Sequence, residues 1–283
     1  GRDGTIRIDD NGIYGATKGP LSIDVKGCRL TIQAGPSGHP CIARTLRVNG
    51  ERGLLVLDGL YIDGGLFVDG LSSLRLVYCT IRNAISVYGE SEFVADILHS
   101  LCGPMMLPAQ GCSLHVTDSV VDGRGAPAVT GSSDIDPVGP CSTIVRSTIL
   151  GDVELRSVDS VRDSLFLGAV HTREPAQGRF VNCAFPHDFS MNPGPGCVRL
   201  DPTTEGPGEP MSQWLELISR EIGQPGYAIP TDESIHLIGS EASNGSEIGV
   251  YNSLFNNRRM HLLQRTLSEF LPVGWAAAVR ITQ

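Results

Sequence analysis

The stretch VRSTILGDVELRSVDSVRDSLFLG (145–168) decides how this chain folds. It holds two copies of one short pattern, Ser147-Thr148-Ile149 and Ser164-Leu165-Phe166: a small residue, any residue, an apolar residue, then a turn. Working outward, the pattern recurs at Leu60-Tyr61-Ile62 before Asp63-Gly64, at Cys79-Thr80-Ile81 before Arg82-Asn83, and at Ser119-Val120-Val121 before Asp122-Gly123. It closes at Cys183-Ala184-Phe185, and Asp96-Ile97-Leu98 is a weaker copy. The first positions, 60, 79, 96, 119, 147, 164 and 183, lie 17 to 28 residues apart. A repeat of about 20 residues with strand-like alternation marks a solenoid, in which each unit buries its apolar face only by stacking on its neighbours.

Two solenoids have this period. LSSLRLVYCTI (71–81) fits one leucine-rich repeat, but the other copies lack the leucine ladder and no recurring helix lies between them. Spacings of 17 to 28 residues are also too uneven for a regular horseshoe. A right-handed parallel β-helix tolerates them, because its coils are short strands joined by turns of free length. In that fold the first and third residues of each copy point inward. Leu60, Cys79, Ser119, Ser147, Ser164 and Cys183 then form a small-residue column beside Ile62, Ile81, Val121, Ile149, Phe166 and Phe185. The preceding residue faces outward, which places Asp118, Arg146, Asp163 and Asn182 in an exposed ladder of alternating charge and makes them candidate binding residues.

The expected organisation is a mainly β chain: a β-helix over 1–198, then a Pro/Gly-rich bridge and a small helical C-terminal cap over 199–283. Residues 186–210 hold six Pro and four Gly and should be irregular. Three apolar runs beyond them read as helices. Ser212 can cap one carrying Trp214, Leu215, Leu217, Ile218 and Ile222; Asn244 to Glu247 reads as a capping box before Ile248 to Phe255; Leu262, Leu263, Leu267, Phe270 and Leu271 form the third. Glu269 would pair with Arg265 on that last helix. Helices this short must pack on something, and the solenoid's side or end is nearest.

Composition narrows function. The chain has 283 residues and a formal charge of −9, so a nucleic-acid-binding surface is not expected. No apolar run approaches the ~18 residues of a membrane-spanning helix. Of 22 basic residues only Lys18 and Lys26 are lysine, a bias that points to a GC-rich bacterial genome. The eight cysteines include no C-x-x-C pair, so they read as small buried hydrophobes, reduced in a cytosolic setting. The chain begins at Gly1-Arg2-Asp3 with neither Met nor a signal peptide, and reads as a segment of something longer.

The signatures of nucleophile elbows, zincins, phosphate loops and dinucleotide folds are all missing, and no two of the seven histidines have metal-ligand spacing. No metal or organic cofactor is expected. Parallel β-helices often bind or cleave polysaccharides along one face, and a hydrolase of that shape needs two carboxyl groups ~5–10 Å apart. The candidate acids are Asp134 and Asp136 in the loop 123–140, with Asp118, Asp122 and Asp163 near them. The paired Asp, Gly-His-Gly and Arg-x-Lys motifs of polygalacturonase-like enzymes have no counterpart.

Four segments carry a resemblance: Gly196-Cys197-Val198-Arg199; Gly223-Gln224-Pro225-Gly226-Tyr227; Glu247-x-Gly249-x-Tyr251-x-x-Leu254-Phe255; and the set Arg259, Leu263, Leu267, Glu269, Leu271. In these the chain resembles the C-terminal β-helix part of large bacterial proteins encoded among phage-tail-like or contractile-injection genes, with pectate-lyase-like β-helix architecture. It departs from their pattern at Asn256 to Met260 and Trp275 to Ala278. The resemblance implies a module of a larger assembly and carries no activity with it. The leading expectation is therefore a non-enzymatic structural or binding module, made in the cytoplasm, for an extracellular or particle-bound assembly. Its partners would be other domains of the parent protein, an assembly partner or a polysaccharide. A polysaccharide lyase or glycoside hydrolase is the alternative.

Overall fold

Short alternating strands separated by turn residues are what the repeat dictates, and the computed structural model coils them into a parallel β-helix. It describes residues 3–15, 19–89, 92–133, 136–175, 178–186, 192–200, 215–231, 234–255, 259, 262–263, 265–267 and 270–271. A typical coil has three strands, such as Leu54–Asp58, Tyr61–Ile62 and Leu66–Asp69. Each pairs in parallel with its counterpart one coil on, here Ser73–Val77, Thr80–Ile81 and Ile85–Tyr88. Three faces result. Face A runs from Gly4–Ile8 to Arg179–Val181, face B from Ile13–Tyr14 to Val198–Leu200, and face C from Leu21–Lys26 to Val170–Thr172. Faces A and C join where Val153–Arg162 rounds their shared corner as one strand, with a register shift opposite Ser142 and Thr143.

Straight columns of apolar side chains fill the bore. On face C, Leu46, Leu66, Ile85, Met105, Val129, Val153 and Val170 stack coil on coil. Face A contributes Ile32, Leu57, Leu76, Ile97, Val116, Ile144, Val161 and Phe180. Face B adds Ile42, Ile62, Ile81, Cys102, Val121, Ile149 and Phe166. All these side chains are buried, so each coil stabilises the next by removing apolar surface from water.

The inward column inferred from the repeat is present: Leu60, Cys79, Ser119, Ser147, Ser164 and Cys183 are all buried. One copy is different. Asp96-Ile97-Leu98 lies in the face A strand Phe93–Leu98, and the member of the column on that coil is Ser100, followed by Leu101 and Cys102. The backbone explains why. Gly59, Tyr78, His99, Asp118, Arg146, Asp163 and Asn182 hold positive φ, from 46 to 69°, and make the bend between faces A and B. Beyond four successive bends, a serine hydroxyl on the next coil accepts an inward N–H: Cys79 N–H donates to Ser100 Oγ, Ser100 to Ser119, Ser119 to Ser147 and Ser147 to Ser164, at 3.0 to 3.3 Å. Each hydroxyl in turn donates to the carbonyl two residues earlier, at 2.7 to 2.8 Å. Small polar residues recur in this column because a buried N–H needs an acceptor there.

The tail docks on the side of the solenoid, but by turns where helices were expected. Ser212 and Trp214 lie outside the described residues. Leu215 to Ile222 is not helical: Ile218 N–H donates to Ile229 O at 2.8 Å and Thr231 N–H to Glu216 O at 2.8 Å, forming an irregular hairpin about Gly223 and Gly226. Asn244 accepts from Ser246 N–H in a tight turn, so no capping box forms, and Glu247 is buried and accepts from Ser246 Oγ at 2.7 Å. A 3-10 turn, Asn252–Leu254, follows. Residues 259, 262–263 and 265–267 are helical, yet Leu262, Leu263, Leu267 and Phe270 are exposed where a buried face was expected. Glu269 lies outside the described residues. Docking is carried instead by Leu215, Ile238, Ala242 and Ile248 on Leu165, Ala184 and Leu200, and by Tyr227 and Ala228 on Val120 and Leu150.

Candidate functional site

The corner between faces A and B brings the expected binding residues together, because its positive-φ bend repeats on seven successive coils, from Gly59 to Asn182, and turns each side chain away from the bore. Tyr78 stacks on His99 with ring centroids 5.0 Å apart and planes 10° from parallel. His99 Nδ1 lies 4.0 Å from Asp118 Oδ2. Arg146 grips Asp118 with two bonds, Nε to Oδ1 and Nη2 to Oδ2, both 2.7 Å. The Asp118 carboxylate holds the Arg146 guanidinium above its ordinary pKa, against partial burial. Asp163 and Asn182 continue the ladder at the next two bends.

Catalysis would need the acids to be available, and the described ones are engaged. Asp163 is 5% exposed: Ser243 roofs it, donating N–H to Oδ1 and its hydroxyl to Oδ2, both at 2.7 Å. Asp118 is closed by the Arg146 fork. Asp136 sits on the loop between faces C and A, a different corner, and pairs with Arg173 Nη2 at 2.7 Å. Asp134 lies outside the described residues. Asp122 is buried and accepts from Tyr227 OH at 2.9 Å and Arg124 N–H at 2.8 Å. Asp122, Tyr227 and Ser243 thus fasten the tail, a role that the turn-like Asp122-Gly123 conceals in the sequence.

Two other surfaces offer recognition chemistry. A cleft of about 490 Å³ between faces B and C is lined by Asp122, Arg124, Leu150, Asp152, Leu167 and Arg220. Its carboxylates are occupied, since Asp152 Oδ1 accepts from Ala169 N–H at 2.9 Å, and Arg124 Nη1 donates to Arg82 O at 2.7 Å. On the outside of face C, Phe67 and Tyr88 stack 4.8 Å apart, and the Arg47 guanidinium sits 5.1 Å over the Phe67 ring. Asn49 Nδ2 donates to Asp24 Oδ1 one coil away.

Cys79, Cys102 and Cys112 behave as buried packing groups. All eight cysteines are free; burial pushes Cys79 up to about 11 and Cys112 up to about 12, and raises Cys102 further. Among the described residues no three His, Cys, Asp or Glu side chains group as metal ligands, and no helix is long and apolar enough to cross a membrane. Comparison with protein-family models, curated proteins and solved structures finds no match to the chain.

Proposed function

We propose that the chain is a non-enzymatic binding module, a β-helix that presents stacked aromatic and charged side chains to a glycan or protein partner within a larger bacterial, phage-tail-like assembly. One observation carries this reading: Asp118, Asp136 and Asp163 are each engaged, by Arg146, Arg173 and Ser243, and they are split between two corners. A general acid must reach the leaving oxygen, and the Arg146 fork on Asp118 and the Ser243 roof over Asp163 speak against that role for these two. Glycans are favoured among partners by the exposed rings of Tyr78 and Tyr88, the latter with Arg47, Asn49 and Asp69 near it on face C. The resemblance to phage-tail-associated proteins supports the assembly context.

Incubation with a panel of acidic and neutral polysaccharides, read by both binding and chain length, tests the proposal. Retention without shortening of the chains, weakened by Tyr88→Ala, is the expected result. Depolymerisation by the purified chain, lost in Asp118→Asn, would establish the enzyme reading instead.

A further inference from the structure

Cys183 and Cys197 are neighbours in the stack. Ala184 pairs with Val198 across the last two coils of face B, so the residues before them stand side by side, and Val198 N–H donates to Cys183 O at 2.8 Å. Their thiols are close enough to interact directly. Successive coils of a parallel stack lie ~4.8 Å apart, inside the ~4.4–6.8 Å Cα separation that a disulfide spans. The other described pairings of cysteine put a different residue opposite: Tyr61 by Cys41, Ile81 and Val121 by Cys102, Phe93 by Cys112, Ser113 and Ser157 by Cys141. The two thiols also differ in access. Cys183 is fully buried in the bore, whereas Cys197 is partly exposed beside Gly196, where the chain enters its last strand.

We infer that Cys183 and Cys197 form a redox-active dithiol that small disulfides convert to an intramolecular disulfide, stapling the terminal coil on which the tail packs. Cys197 is the entry point. The Cys183 thiol and nearby backbone N–H groups stabilise its thiolate and hold it below the ordinary cysteine range, while burial holds Cys183 above it. With oxidised glutathione as oxidant, the Cys197 thiolate attacks one sulfur and forms a mixed disulfide, and one glutathione thiolate leaves and takes up a proton. The Cys183 sulfur then attacks Cys197 Sγ, and its proton passes to the departing sulfur, so the second glutathione leaves as a thiol. Two protein thiols are oxidised by two electrons, and one glutathione disulfide is reduced to two thiols. The staple ties Ala184–Pro186 to Val198–Leu200, whose Leu200 packs with Leu215 and Ile238 of the tail.

The test is to incubate the native chain with oxidised glutathione, block remaining thiols after unfolding, and map the peptides. Wild type should show two fewer free thiols than its eight and a Cys183–Cys197 linked peptide. Cys183→Ser should stop at a stable glutathione adduct on Cys197. That substitution suits the fold, since Ser119, Ser147 and Ser164 hold the same column. A stable adduct on Cys197 in wild type, a link from Cys197 to any other cysteine, or eight unreacted thiols would each overturn the inference.

Discussion

Ser119→Ala deletes one hydroxyl from the interior column and leaves one main-chain group orphaned. Ser119 Oγ accepts from Ser100 N–H at 3.0 Å and donates to Thr117 O at 2.7 Å, with no solvent contact. Thr117 O keeps a second partner, the His99 N–H at 3.1 Å, so only Ser100 N–H loses its bond outright. An unsatisfied buried donor costs about 1–3 kcal/mol, and that sets the expected destabilisation. At roughly 2–4 °C per kcal/mol for chains approaching this size, the thermal midpoint should fall by several degrees. Ser119→Cys is the internal control. Cysteine already fills the column at Cys79 and Cys183, each Sγ donating to the carbonyl two residues earlier, at 3.3 and 3.2 Å. Sulfur is a weak acceptor, so the cysteine variant should fall between wild type and alanine. Urea unfolding followed by circular dichroism gives the order. An alanine variant as stable as wild type, or a cysteine variant less stable than alanine, would refute the view that the column exists to satisfy inward N–H groups.

Three further perturbations address the bend and the tail. Asp163→Ala removes both acceptors of Ser243, bonds to a charged group worth about 1.5–3 kcal/mol each; residues 234–255 should become cleavable in limited proteolysis, and unchanged protection would refute this anchor. His99 sits at φ 48°, where a β-branched side chain is strained by about 1–2 kcal/mol, so His99→Val should lower the urea midpoint more than His99→Gly, and equal midpoints would count against the strain. Burial, then the nearby Asp122 charge, raises the Tyr227 pKa. Its folded value therefore exceeds the ~10 of an unfolded tyrosine, so the neutral phenol stabilises docking in full below about pH 10 and that contribution is lost as pH climbs further. Wild type should lose stability more steeply than Tyr227→Phe above that pH, and parallel profiles would exclude the linkage.

The solenoid was legible because its two interior columns use few residue types at a near-constant offset, as Ser147 with Ile149 and Ser164 with Phe166 show. The coil at Ser100 departs from the pattern because Cys102 replaces the large apolar residue there, while Leu98 four positions earlier mimics it from face A. The tail was misread for a different reason. Leu215, Ile218 and Ile222 have helical spacing, but Gly223 and Gly226, at φ 93 and 77°, turn the chain back so that Ile218 bonds Ile229. Face B offers a flat, already ordered apolar strip, Val120, Leu165 and Ala184, and an irregular segment can cover such a strip without first paying for helix nucleation.

The acids misled for a conformational reason that bears on any β-helix of this kind. A bend with positive φ on every coil selects residues that tolerate the left-handed region, and Asn, Asp and His are the side chains most enriched there after glycine. Gly59, His99, Asp118, Asp163 and Asn182 fit that preference without any catalytic demand. Tyr78 and Arg146 do not, and the side chain of each makes a contact with a neighbouring bend, the stack on His99 and the fork on Asp118. A file of carboxylates along such a corner is therefore produced by backbone geometry first. What separates a site from a scaffold is whether the acids are left open. Here Arg146 closes Asp118 and the tail closes Asp163, while the rings of Tyr78 and Tyr88 stay exposed, and these are the side chains through which we propose the module meets a partner.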